Sequence, residues 1–178
     1  MSGPGHTVSD VDEMILVEER GQLLEFSYTD MLCYAGPYAP AGVAHAFKVM
    51  QRAFAALSGN QPPQRRSIMI RTAFAGPGAR DGFEAVTRAF TDGRYTLDPA
   101  LARPDRGRQL QSFVFQVTIA GRAATLLLRK GFVTAEFIDL AGKPDRDQAE
   151  ETHLDQLKTQ LAQRLLATPA EDVYDLAD

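Results

Sequence analysis

Three histidines, His6, His45 and His153, and one cysteine, Cys33, are the chain's whole supply of nitrogen and sulfur side chains suited to a structural zinc site. They are dispersed, and no two stand at zinc-ligand spacing. A lone cysteine also excludes an intramolecular disulfide framework. As a nucleophile Cys33 would need a helix N-terminus or a nearby cation to lower its pKa, and with neither in view it reads as a buried, inert thiol. His45 is left as the candidate general acid or base, although a surface or interface position is the plainer reading of a single histidine. Arg71, Arg80, Arg88 and Asp81 are the nearest candidates to anchor an anionic or polar ligand, and Tyr34 and Tyr38 could line a pocket beside His45. Arg71 follows two isoleucines in an extended stretch, where a buried guanidinium demands a carboxylate or an anionic ligand.

These residues lie on or next to one stretch, YAGPYAPAGVAHAFKVMQRAFAAL, from Tyr34 to Leu57. Pro37 and Pro40 fix φ and remove backbone donors, and Gly36 and Gly42 permit dihedrals closed to other residues, so 34–41 is expected to be a rigid, non-helical loop. A helix over 42–58 follows, with Val43, Phe47, Met50, Phe54 and Leu57 on one stripe and Ser58-Gly59-Asn60 as its stop. Its back carries Ala44, Val49, Ala53 and Ala56, with only His45, Lys48 and Arg52 as long polar groups. A helix apolar on both sides packs on both sides, which leads to the expectation of a homodimer through close helix approach.

Around this stretch, MILVEERGQLLEFSY reads as a hairpin turning at Arg20-Gly21, while a helix fits its periodicity nearly as well. Ser27 and Asp30 have the form of a capping box for a short helix from Tyr28. A polar linker, 59–66, leads to a strand, SIMIRTAF, with Ile68 and Ile70 on one side. AGPGARD then reads as a tight loop with Asp81 as N-cap of a helix over 82–92, turning Phe83, Val86 and Phe90 inward. A glycine loop opening a helix can hold an anion on free N–H groups, although this one is neither G-x-x-x-x-G-K-S/T nor G-x-G-x-x-G and ordinary turn chemistry explains it as well. RYTLD is extended, ALARPDRGRQ is a surface loop, and three segments from Phe113 to Leu140 read as an antiparallel meander. Leu154, Leu157, Leu161 and Leu165 mark a helix over 147–167. The sum is an α+β fold, a mostly antiparallel sheet packed against about three main helices, in a single domain over 13–178 after a flexible N-terminus over 1–12.

Three segments carry a resemblance to a known family. YAGPYAP can be laid on the F-H-G-H-x-C-P signature of the family of formylmethanofuran dehydrogenase E-type proteins, matching at Tyr34, Gly36 and Pro40. DGFEAVTRAFTDG resembles that family's D-A-I-Q-x-x-T-G-C-T-x-G-K segment at Asp81, Thr87 and, with one residue of slack, Gly93. The tail ATPAEDVYDLAD is similar to the segment closing the family's core. The resemblance implies the E-type scaffold and a setting in one-carbon or redox metabolism. It also implies a degenerate member, because Ala35, Pro37, Ala39 and Ala89 stand where the family has its histidines and cysteines, so stoichiometric zinc or nickel is not expected. Some relatives carry a further zinc module, which the C-terminal sequence here does not suggest.

At 178 residues with 44% hydrophobic and 24% charged side chains, the composition is that of an ordinary globular protein. A net charge of −4 with scattered basic residues argues against nucleic acid. The absence of a long apolar run or signal-like N-terminus argues against a membrane and for a cytoplasmic protein. Three functions follow as expectations: a non-catalytic scaffold binding a small anionic ligand or cofactor of unknown identity where the 34–42 loop meets AGPGARD; an enzyme using His45 in the former metal pocket; or an accessory interaction subunit of a larger complex.

Overall fold

The computed structural model describes residues 13–177, so the flexible segment expected over 1–12 lies outside the described residues. Arg20 and Gly21 both take positive φ, 52° and 78°. That pair matches the twist of two flanking strands and decides hairpin over helix, giving β1 (Ile15–Glu19) and β2 (Gln22–Phe26). The capping box forms as expected. Ser27 Oγ accepts from the Asp30 N–H at 3.0 Å, the Asp30 carboxylate accepts from the Ser27 N–H at 2.8 Å, and α1 (Tyr28–Ala35) follows.

Two loops are shorter than the sequence suggests, for one reason. Proline is suited to the first helical position, where no N–H is needed. Pro40 therefore begins α2 (Pro40–Ser58) instead of delaying it, and with α1 reaching Ala35 the irregular loop contracts from 34–41 to 36–39. Likewise, after β3 (Met69–Thr72), Pro77 begins α3 (Pro77–Thr87) with Gly76 as N-cap, which places Asp81 inside the helix and not at its cap. That helix also ends early, because Arg88 adopts a left-handed conformation at φ 58°. Phe83 and Val86 point inward, but Phe90 lies beyond the helix and is 52% exposed.

Beyond β4 (Tyr95–Leu97), β5 (Val114–Ile119) and β6 (Arg122–Leu128) form the expected hairpin at Ala120-Gly121. The third expected strand is a helix, α4 (Ala135–Ala141): Thr134 Oγ1 accepts from the Phe137 N–H at 3.1 Å and Glu136 favours the first turn. The strand beside β6 comes instead from the tail, where α5 (Gln148–Leu166) and α6 (Ala170–Val173) lead into β7 (Tyr174–Leu176). The five-stranded sheet runs β4-β3-β5-β6-β7, antiparallel except for the β3–β4 pair. This is an α+β fold with a mostly antiparallel sheet and three main helices, α2, α3 and α5. No helix among the described residues is long and apolar enough to cross a membrane.

α2 is the centre of the core. Its predicted stripe is buried, and so are Ala44, Val49 and Ala53 behind it, because α3, α5, α6, β5 and β6 pack around the helix. The apolar back that motivates a homodimer is thus covered by the same chain, and self-association would have to use another face. Glycines set the α2–α3 distance. A Cβ on Gly42 would lie 2.8 Å from the Ala79 backbone nitrogen and 3.0 Å from the Gly78 backbone carbon, atoms that cannot rotate away. Gly42→Ala is therefore expected to destabilise the protein by about 1–3 kcal/mol through overpacking, read as a lower urea midpoint. An unchanged midpoint would show that the two helices separate freely.

Candidate ligand-binding site

The N-termini of α2 and α3 meet at a cavity of about 740 Å³. Tyr38 and Ala39 from the 36–39 loop and Gly76, Pro77 and Gly78 from the AGPGARD turn line it together, so the two segments expected to share a pocket do face one space. Its wall is largely aromatic and aliphatic. Phe74 stacks on Phe113 with centroids 4.7 Å apart and planes at 26°, and Phe137, Ile138 and Leu161 close the far side. A groove of about 880 Å³ beside the β1–β2 hairpin is larger. It is an open trough whose Glu19 and Arg66 are paired with one another, and it lacks an apolar wall.

His45 is the polar centre of the cavity. It is 1% exposed, which corrects the expected surface position, and it lines the cavity from α2. Nδ1 lies 2.7 Å from the Tyr174 hydroxyl, and Nε2 has no partner among the described residues. Tyr174 is itself fully buried, and its hydroxyl has no other hydrogen-bond partner among the described residues. An unmade bond is costly for a buried donor. The simplest assignment has the hydroxyl donating to Nδ1, which places the imidazole hydrogen on Nε2. Burial pushes the His45 pKa down to about 3 and the Tyr174 pKa well above its usual value, so both groups are neutral at pH 7. The site therefore holds a fixed, neutral N–H donor.

The other predicted site residues divide. Tyr38 lines the mouth and is 82% exposed. Tyr34, in the last turn of α1, is exposed and does not line the cavity. Arg71 points from β3 to the outer face of the sheet, where it bonds Asp98 and Gln116; strand alternation separates it from Ile70, so no buried guanidinium arises. Arg80 pairs with Asp81 at 3.3 Å and lies over the Phe90 ring, and neither member of the pair reaches the cavity. Arg88 pairs with Glu84. Cys33 is exposed in α1, not buried. Ala35, Pro37 and Ala39 offer no side-chain donor, and no group of three or more His, Cys, Asp or Glu residues is placed to hold a metal among the described residues.

The basic groups that do line the cavity are Arg108 and Lys158, and no acidic side chain joins them. Arg108 is paired with Asp139, and Lys158 donates to the Tyr38 carbonyl at 3.4 Å. Neither is singled out by its sequence context, since one lies in a loop with the composition of a surface segment and the other on the polar side of α5. Tyr174 lies in the tail segment that carries the resemblance, but nothing in the sequence there marks it as a partner of His45, 129 residues away. No known protein-family profile matches this chain, and no curated protein matches it significantly.

Proposed function

We propose that the protein is a non-catalytic binder of a small organic molecule carrying an anionic group, held in the cavity between α2, α3, α4 and α5. The observation that carries this reading is the Nε2–H of His45, unpartnered among the described residues and buried in the wall of a mostly apolar space. A buried donor without an acceptor costs free energy, which a ligand oxygen that shifts the lining enough to reach Nε2 would recover. The volume is within the range of small-molecule sites, and an apolar wall with a few placed polar groups is their usual construction. The lining carries no acidic side chain and includes the starts of two helices, whose partial positive charge favours a negative ligand. Acid–base catalysis by His45 is disfavoured because burial holds its pKa near 3, far from the near-neutral value that suits a general acid or base.

The resemblance to formylmethanofuran dehydrogenase E-type proteins fits this reading. Tyr38 and Ala39, from the segment laid on the metal-binding signature, stand at the cavity mouth, and we read the chain as a scaffold that keeps the pocket without the metal ligands. On that reading its ligand belongs to one-carbon or redox metabolism, which makes pterins and folates the first compounds to try. A thermal-shift panel of pterins, folates and aromatic carboxylates tests it. A ligand at a hundredfold excess over its Kd should add about 2.7 kcal/mol of stability. Leu161→Trp, which fills the cavity, should abolish the effect, and Arg80→Ala should leave it intact. Hits that survive Leu161→Trp, or the absence of any hit together with no retained molecule in native mass spectrometry, would remove the proposal.

A further inference from the structure

Two helices begin at the cavity wall, and neither is closed. α2 and α3 both have proline at the start, both lack a side-chain cap, and neither carries an acid in its first turn. By contrast α1, α4 and α5 are capped by Ser27, Thr134 and Asp147, each with an acid in the first turn. The open ends abut: a Cβ on Gly78 would lie 2.5 Å from the Ala39 Cβ, and one on Gly42 would lie 3.0 Å from the Gly78 Cα. First-turn N–H groups and the partial positive charge of both helices are thus set side by side. Such ends repel, and no carboxylate among the lining residues offsets them.

His45 adds an independent observation. It follows Ala41 and Gly42 by four and three residues, so the three share a helix face, and all three line the cavity. Its Nε2 is buried and unpartnered, with the hydrogen placed there by Tyr174. The starts of both helices and His45 thus line one cavity whose remaining wall is mostly apolar and aromatic.

Resting on the binding reading above, we propose that this junction seats the carboxylate of a flat aromatic acid whose ring lies against the Phe74–Phe113 pair. Charge selects carboxylate over phosphate. Each helix end supplies roughly half an elementary charge, about one unit together, which balances a monoanion. A phosphate monoester, at about −1.5 to −2 near pH 7, would leave charge uncompensated against apolar walls. Neither full cation adds a free charge here, since Arg108 is paired with Asp139, and Lys158, which donates to the Tyr38 carbonyl beside the α2 terminus, is paired with Asp155 at 3.9 Å.

Isothermal titration of the full chain with 2-naphthoate, its neutral counterpart 2-naphthalenemethanol and inorganic phosphate tests the seat. Naphthoate should bind roughly ten- to a hundredfold more tightly than the alcohol, the range of one charge-assisted hydrogen bond, and phosphate should bind more weakly than naphthoate. Ala39→Asp places a cap and a negative charge at the α2 terminus. It should abolish naphthoate binding while leaving the ligand-free melting temperature unchanged or raised. Equal affinity for acid and alcohol, tighter binding of phosphate, or naphthoate binding unaffected by Ala39→Asp would overturn the seat while leaving the cavity as a binding site. Failure of both naphthalene compounds to bind would overturn the aromatic-acid assignment, and the binding reading itself falls only if the pterin and folate panel also fails. The acid–alcohol comparison uses the unaltered protein, so it stands even if the variant does not fold.

Discussion

Acidification is expected to weaken this protein from pH 6.5 downward, before its carboxylates are protonated. His45 titrates near 6.5 in an unfolded chain and near 3 in the folded one, where burial opposes the charge. Between those values the unfolded state holds a proton that the folded state lacks, so the contribution to stability is complete above pH 6.5 and is lost as pH falls toward 3. The slope is up to about 1.4 kcal/mol per pH unit for this one group. Glu13, Glu19 and Asp92, whose pKa values are lowered chiefly by hydrogen bonds from Gln51, Arg66 and Arg94 respectively, add their loss only at lower pH. His153 works in the other direction, since its bond to Glu136 raises its pKa, but it is an exposed surface group and contributes little. Urea unfolding at a series of pH values from about 4.5 to 7.5 reads the slope. The double variant His45→Phe with Tyr174→Phe, which removes the imidazole without orphaning the hydroxyl, should flatten it. An equal slope in both proteins would mean that His45 is solvated and that the closed donor site does not exist.

The second large effect is expected from Phe115→Ala, which should cost about 3–5 kcal/mol, or roughly 6–20 °C in Tm for a chain of this size. Phe115 is fully buried at the middle strand, with the rings of Phe74, Phe83 and Tyr174 at 6.1, 5.8 and 5.8 Å. Its loss removes support from α3, from the aromatic wall of the cavity and from the tyrosine that orients His45. Naphthoate affinity should fall along with stability. Phe90→Ala is the contrasting case: the ring is half exposed and touches Arg80 and Tyr95, so its removal should cost less than about 1 kcal/mol. Comparable losses from the two variants would contradict the placement of the core.

What can be read from the residues alone is what short-range chemistry decides. The Ser27–Asp30 capping box, the positive-φ turns at Arg20-Gly21 and Ala120-Gly121, the α2 stripe and the leucines of α5 each depend on partners within a few positions, and each forms as expected. The α+β class follows from them. Local reading fails where one pattern serves two structures. Pro40 and Pro77 look like loop residues and are helix starts, and FVTAEFIDL has the apolar content of a strand but Thr134 caps it as a helix. The expectation that the 34–42 loop meets the AGPGARD turn rests on a resemblance and not on the spacing of residues.

The site's chemistry is set by tertiary packing. Whether Arg71 faces inward or outward depends on the sheet register, which turns Ile70 to the core and Arg71 to solvent. Arg80 and Asp81 satisfy each other on one helix, while Arg108 and Lys158 reach the cavity from distant segments. His45 is a donor only because β7 returns to the sheet and sets the Tyr174 hydroxyl against Nδ1 in the dry interior. Helices, turns and the class of fold rest on backbone preferences within one or two turns of chain, and those are written in neighbouring residues. Which polar groups share the buried space is not, because burial and charge are properties of neighbours that the chain brings together only on folding.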